Sequence, residues 1–143
     1  MLKASRANKM NIEVQKKFSS YPADIAQALH QIRDLIFKVA EQESVEELEE
    51  TLKWHEPSYS SNIGSPIRFD YKANQPGKFF IYFNCKTTLI ETFKEVYPAT
   101  FRYVGNRAIV FDVGQYLPVK ELSHCLALAL RYKKLKHLDL LGL

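Results

Sequence analysis

Residues 101–111 read FRYVGNRAIVF, and this stretch decides the fold class. Apolar and aromatic residues flank the dipeptide Gly105-Asn106, whose two residue types tolerate the positive φ of a two-residue hairpin turn. The stretch therefore predicts two antiparallel strands joined by a tight turn. A strand signal precedes it, because Phe79–Phe83 is a continuous apolar run with the length of a buried central strand.

Strand and helix patterns alternate along the rest of the chain. Residues 66–71 alternate apolar and polar side chains, as in a half-buried strand, and an additional short strand is expected at Ser58–Ile63. Apolar residues recur at helical spacing over residues 22–42, 88–97 and 119–134. These patterns predict three helices separated by strands.

A fourth helix is predicted at Val45–Lys53. Ser44 is a suitable N-cap, and Glu47 stands three residues later, which is the spacing of a capping box. The predicted element order is αα-ββ-α-ββ-α. Because helices interrupt a largely antiparallel sheet, the order indicates one compact α+β domain with the sheet packed against helices.

Length and composition agree with one soluble domain. The chain has 143 residues, of which 46% are hydrophobic and 25% are charged, as in ordinary globular proteins. Residues 1–17 are expected to form a basic, mobile tail, and residues 18–143 the domain. No stretch approaches the roughly 18 apolar residues of a membrane span. Cys85 and Cys125 stand alone, so a cytoplasmic protein with reduced thiols is expected.

The net charge of +4 is concentrated at the two ends of the chain. Residues 1–17 carry five Lys and Arg against one Glu, and residues 131–143 carry four against one Asp. Nucleic-acid binders usually gather their basic residues on one recognition surface with aromatic platforms. A nucleic-acid partner is therefore not favoured, and binding through the basic ends is kept as a third hypothesis.

An acidic run is the first candidate site. On the predicted helix, Glu43, Glu46, Glu47 and Glu50 stand at offsets 0, 3, 4 and 7, which places them on one face. Carboxylate oxygens are ligands for hard cations such as iron or magnesium. The alternative is an ordinary solvated face of an amphipathic helix.

The second candidate is a ligand-binding surface of Trp54, Tyr59, Asn84 and Arg107. All four residues stand at the ends of predicted elements, where sites collect, and together they offer aromatic walls with few polar anchors. Each also has a structural alternative, since Trp54 would fill a core and Arg107 would pair with an acid. No catalytic motif accompanies them, so an enzyme is not favoured.

The leading hypothesis is therefore a non-enzymatic domain that binds a small molecule or a protein. Leu128 and Leu135 lie beside the apolar face that the last predicted helix would pack into the core. They would be covered either by a second copy of the chain or by the segment Leu138–Leu143. The sequence is therefore compatible with either a monomer or a homodimer.

Four segments in a fixed order carry a family resemblance. They are K-W-x-x-P-S-Y at Lys53–Tyr59, N-C-K-T-T-L at Asn84–Leu89, G-N-R-A-I at Gly105–Ile109 and A-L-R-Y at Ala129–Tyr132. In these segments the chain resembles the YdhG-like family of small bacterial domains, mostly of unknown function. The resemblance covers about residues 18–141 and implies a compact α+β domain. Because some relatives are described as frataxin-like, it also implies the alternative function of an intracellular iron chaperone.

Overall fold

The computed structural model describes residues 9–143, and residues 1–8 of the predicted basic tail lie outside the described residues. The helices are α1 Ile12–Ser19, α2 Ala23–Gln42, α3 Leu89–Val96, α4 Val119–Leu130 and α5 Tyr132–Leu135. The strands are β1 Glu49–Lys53, β2 Glu56–Ser60, β3 Ile67–Asp70, β4 Lys78–Phe83, β5 Arg102–Val104 and β6 Ala108–Asp112. A short 3-10 helix at Asp139–Gly142 follows.

The six strands form one sheet in the order β1-β2-β3-β4-β6-β5, and every neighbouring pair is antiparallel. The hairpin predicted around Gly105-Asn106 is present as β5 and β6, and the apolar run Phe79–Phe83 lies in the interior strand β4. The short strand expected at Ser58–Ile63 is present as β2, which begins two residues earlier and ends at Ser60. The α+β fold class is thereby confirmed.

One face of the sheet packs against the helices and forms the core. Neighbouring strands place Tyr59, Ile67 and Phe83 in one row, and Phe69 and Ile81 in another. All of these side chains are at most 2% exposed. The long helix α2 contributes its apolar stripe to the same core, including the three fully buried residues Leu29, Ile32 and Ile36. Burial of this apolar area is the main stabilising contribution to the fold.

The predicted helix at Val45–Lys53 is wrong, because residues 49–53 form the edge strand β1. Ser44 and Glu47 both have a positive φ, of 55° and 56°, which is incompatible with the first turn of a right-handed helix. This segment pairs with β2 along its whole length, with Glu50 opposite Tyr59 and Leu52 opposite Pro57. Pairing with β2 outweighed a local capping signal, as tertiary context commonly does.

The boundary between tail and domain also needs correction. Residues 12–17, assigned to the tail, belong to helix α1, which buries Val14 and Phe18 in the core. The side chain of Asn11 caps this helix by accepting a hydrogen bond from the Val14 N–H at 3.1 Å. The missed signal was the Asn cap followed by two apolar residues four positions apart.

The helix predicted over residues 119–134 is divided at Arg131, where α4 ends and α5 begins. Leu128 is 6% exposed within the single chain, so its burial needs no second copy. Leu135 is partly buried against the same core. No helix in the part of the chain from residue 9 onward has the length and apolar character needed to cross a membrane.

Candidate functional site

A depression of about 350 Å³ opens at the end of the sheet where β2 and β4 finish. Three segments enclose it: the β2–β3 loop, the turn between β4 and α3, and helix α5. We call this depression the Ser65 pocket. Its lining residues are Ser60, Ser61, Gly64, Ser65, Pro66, Asn84, Thr87, Tyr132, Lys133 and Lys136.

The β2–β3 loop is held against the break between α4 and α5. The Ser65 N–H donates to the Ala129 carbonyl at 2.8 Å, and the Lys133 N–H donates to the Ile63 carbonyl at 2.9 Å. A helix C-terminus leaves carbonyl groups without partners inside the helix, and the loop supplies one of the missing donors. These two hydrogen bonds set the distance between Ser65 and the lysines of α5.

The turn between β4 and α3 forms the opposite wall. The Asn84 Oδ1 accepts a hydrogen bond from the Lys86 N–H at 2.8 Å, as in an Asx turn. The Thr87 hydroxyl donates to the Asn84 carbonyl at 2.6 Å and accepts from the N–H of Leu89, the first residue of α3, at 3.3 Å. The Tyr132 hydroxyl accepts from the Thr88 N–H at 3.2 Å. The wall and α5 are therefore tied together.

The Ser65 hydroxyl is the unusual group of the pocket. Ser65 is 5% exposed, and its Oγ has no hydrogen-bond partner among residues 9–143. Most buried polar side-chain atoms are hydrogen-bonded, because an unpaired one costs about 1–3 kcal/mol. Because Ser65 also lines the depression, its unpaired hydroxyl is a candidate group for binding a polar ligand.

The charge of the pocket is positive. Lys133 and Lys136 line it, and none of the ten lining residues is an Asp or a Glu. Within the described residues, no carboxylate lies within 4 Å of either ammonium group. The lysines therefore leave a local positive potential, which attracts anions.

The structure does not bring the four predicted ligand-binding residues into one site. Asn84 lines the Ser65 pocket. The Arg107 backbone lies close to Asn84 in space, because its carbonyl accepts a hydrogen bond from the N–H of the preceding residue, Phe83, at 2.8 Å. The exposed Arg107 side chain does not line the pocket. Tyr59 is fully buried in the core. Trp54 lies at the opposite end of the strands from Arg107.

Trp54 is in the β1–β2 turn rather than in the core, and its side chain is 80% exposed. Trp54 and His55 both have positive φ values, 55° and 64°, as a type I′ hairpin turn requires. Trp rarely adopts that conformation, because bulky residues pay a conformational cost there. The turn is therefore held by the pairing of β1 with β2.

Substituting this turn tests whether it stores strain. We expect the double variant Trp54→Asn, His55→Gly to raise the free energy of unfolding by about 1 kcal/mol, because Asn-Gly is favoured in type I′ turns. Urea denaturation measures the change. Trp54→Ser is the control, since it removes the indole without relieving the backbone. A double variant that is less stable than the parent would show that the indole stabilises the hairpin.

The four glutamates of the metal hypothesis do not share a face. The Glu43 Oε1 lies 4.0 Å from the Arg131 Nε, while Glu46 and Glu47 are exposed. Glu50 points into the protein, with its side chain 6% exposed. Over residues 9–143, no group of three or more His, Cys, Asp and Glu side chains is arranged to hold a metal ion. The iron hypothesis thus loses the helical face on which it depended.

Glu50 instead belongs to a buried ionic network that the sequence analysis missed. Its carboxylate accepts hydrogen bonds from the Arg33 guanidinium, from the Tyr59 hydroxyl at 2.8 Å and from the Asn11 N–H at 2.9 Å. The Arg33 guanidinium lies 4.8 Å from the centre of the Phe37 ring. Burial, together with the Glu50 charge, raises the pKa of Tyr59 well above its ordinary value. The network joins α1, α2, β1 and β2.

Comparison with known proteins agrees with this architecture. The sequence matches no family model, and no curated protein matches it. The fold is similar to the crystal structure of YdhG, a protein from the DUF1801 family of Bacillus subtilis, with a TM-score of 0.58 at 10% sequence identity. The matched part covers 80% of this chain and 85% of that chain. At this identity the likeness shows the fold alone, and it agrees with the compact α+β domain that the family resemblance implies.

Proposed function

We propose that this protein is a non-enzymatic binding domain whose ligand is a small polar molecule held in the Ser65 pocket. The unpaired, buried Ser65 hydroxyl carries the proposal. A buried hydroxyl without a partner lowers the stability of the fold, and a ligand that accepts its hydrogen bond would remove that cost. The polar lining of the pocket suits such a ligand better than an apolar one.

The residues around the pocket support binding rather than catalysis. General acid–base chemistry near neutral pH most often uses His, Asp or Glu, and covalent catalysis often uses Cys. None of these residue types lines the pocket. Ser65 and Ser61 are the nearest candidate nucleophiles, and in the described structure neither hydroxyl is hydrogen-bonded to a basic side chain that would activate it. A role in holding a ligand accounts for the lining.

A small panel of compounds tests the proposal by nuclear magnetic resonance. Glycerol, ethanolamine, acetate and inorganic phosphate represent the neutral, cationic and anionic classes. We expect at least one of them to shift the amide signals of Ser65, Asn84 and Lys133, because these residues lie on the three walls of the pocket. The same titration should leave the amides around Trp54 unchanged, since they lie at the other end of the sheet.

Substitution of Ser65 and Asn84 supplies the control. Ser65→Ala and Asn84→Ala should reduce the shifts caused by the bound compound, whereas Trp54→Ser should not. Shift changes that map to another surface, or no shift with any of the four compounds, would contradict the proposal.

A further inference from the structure

We infer that the group bound in the Ser65 pocket is a phosphate monoester dianion, held by the Ser65 hydroxyl and the ammonium groups of Lys133 and Lys136. The inference rests on the proposed function, because it names the ligand class of the same pocket. It goes further by assigning the charge and the hydrogen-bonding character of that ligand.

The pocket offers hydrogen-bond donors in excess of acceptors. Lys133 and Lys136 donate only. The Ser65 hydroxyl has no partner. The Asn84 Oδ1 is occupied by the Lys86 N–H, which leaves its amide nitrogen to donate. The Tyr132 oxygen already accepts from the Thr88 N–H, which leaves its hydrogen to donate. A ligand that accepts many hydrogen bonds and donates none fits this lining.

The number of donors favours a tetrahedral oxyanion over a carboxylate. A phosphate monoester has three terminal oxygens and a charge close to two near neutral pH, whereas a carboxylate has two oxygens and one charge. Two lysines that lack a carboxylate within 4 Å in the described structure match a dianion. Because two lysine charges balance the ligand, no metal ion is needed.

The charged groups that line the pocket come from one side. Helix α5 supplies Tyr132 and Lys133, and Lys136 follows directly after the helix. The β2–β3 loop and the β4–α3 turn contribute only uncharged lining residues, and the exposed Cys85 and Lys86 of that turn do not line the pocket. The second pKa of a phosphate monoester is about 6, so the charge of the ligand itself changes near that pH. Binding should therefore strengthen as the pH rises through 6.

Calorimetric titration with glycerol 3-phosphate tests the inference on the full chain. We expect binding at pH 7.5 that weakens several-fold at pH 5, while binding of sulfate stays unchanged because sulfate is a dianion at both values. Ser65→Ala should weaken binding about tenfold, as loss of a charge-assisted hydrogen bond does. The same variant should have an unchanged or higher melting temperature, because it removes an unsatisfied buried hydroxyl.

Charge variants on one short helix supply the matched control. Lys133→Gln and Lys136→Gln should each weaken binding about tenfold. Lys134→Gln removes the same charge from the same helix but does not line the pocket, so it should leave the affinity within about twofold. Equal losses for all three lysine variants would indicate general charge attraction and would overturn the assignment.

Competing ligand classes are separate arms of the experiment. Acetate or glycerol binding at the pocket while glycerol 3-phosphate does not would overturn the phosphate assignment and leave the proposed function standing. Tighter binding of a thymidine oligonucleotide, with loss in Lys133→Gln, would assign a phosphodiester and overturn the monoester. If no compound binds at the pocket, the inference and the proposed function both fail.

Discussion

Arg33→Met is expected to lower the free energy of unfolding by about 3–5 kcal/mol, because it leaves the Glu50 carboxylate buried without its cation. Arg33 is 4% exposed, and the Glu50 side chain is 6% exposed. Taking one partner from a buried pair is far more destabilising than the net contribution of the pair itself. Met keeps most of the length of the Arg side chain, so loss of packing is kept small.

Chemical denaturation of Arg33→Met and of Arg68→Met measures the effect of burial. The Arg68 Nε lies 3.0 Å from the Glu56 Oε1, but these side chains are 30% and 20% exposed. Because solvent screens such a pair, Arg68→Met should cost about 1 kcal/mol or less. Adding Glu50→Leu to Arg33→Met should recover part of the loss, since it removes the unpaired charge. Equal losses for the two arginine variants would contradict the assignment of Glu50 as a buried ionic centre.

Gly64→Ala is expected to cost about 2–3 kcal/mol through steric overlap. A Cβ at this position would lie 2.3 Å from the Leu130 carbonyl oxygen and 2.9 Å from that of Ala129. Both contacts are with backbone atoms, which cannot move away as a flexible side chain does. The β2–β3 loop would have to leave the end of α4, and the Ser65 pocket would lose one of its walls.

Gly105→Ala is the control for this prediction. Gly105 has a φ of +56° and open space where a Cβ would stand, so its substitution carries only the conformational cost of about 1 kcal/mol. Thermal and urea denaturation should rank Gly64→Ala as the less stable variant. If Gly105→Ala were the more damaging of the two, the close approach of the loop to α4 would be unimportant for stability.

Local sequence patterns were sufficient to predict the strands and helices in which local preference and tertiary packing favour the same structure. The hairpin around Gly105-Asn106 is favoured by two residue types that tolerate positive φ, of which Gly105 adopts it. Phe79–Phe83 contains no charged residue that would favour the surface. In α2, apolar residues at helical spacing form one face of the helix, and this face is buried in the core. In each case the local preference and the final packing agree, so the prediction did not need the fold.

Where local preference and packing disagree, the prediction failed. The run of glutamates after Ser44 has the spacing of a helix, but Glu50 finds a buried partner in Arg33, seventeen residues away. That contact, and the pairing of β1 with β2, places the segment in the sheet. An ion pair between distant positions leaves no periodic trace in the sequence.

The candidate site shows the same division. Asn84 could be chosen from the sequence, because a polar residue directly after a buried strand stands at an element end. Ser65, Lys133 and Lys136 could not, since they are ordinary residues of a loop and of a basic segment. They become neighbours of Asn84 because the β2–β3 loop docks against the end of α4. Side-chain periodicity thus predicted most of the strands and helices, while contacts between distant segments created the pocket, the buried network and the exposed position of Trp54.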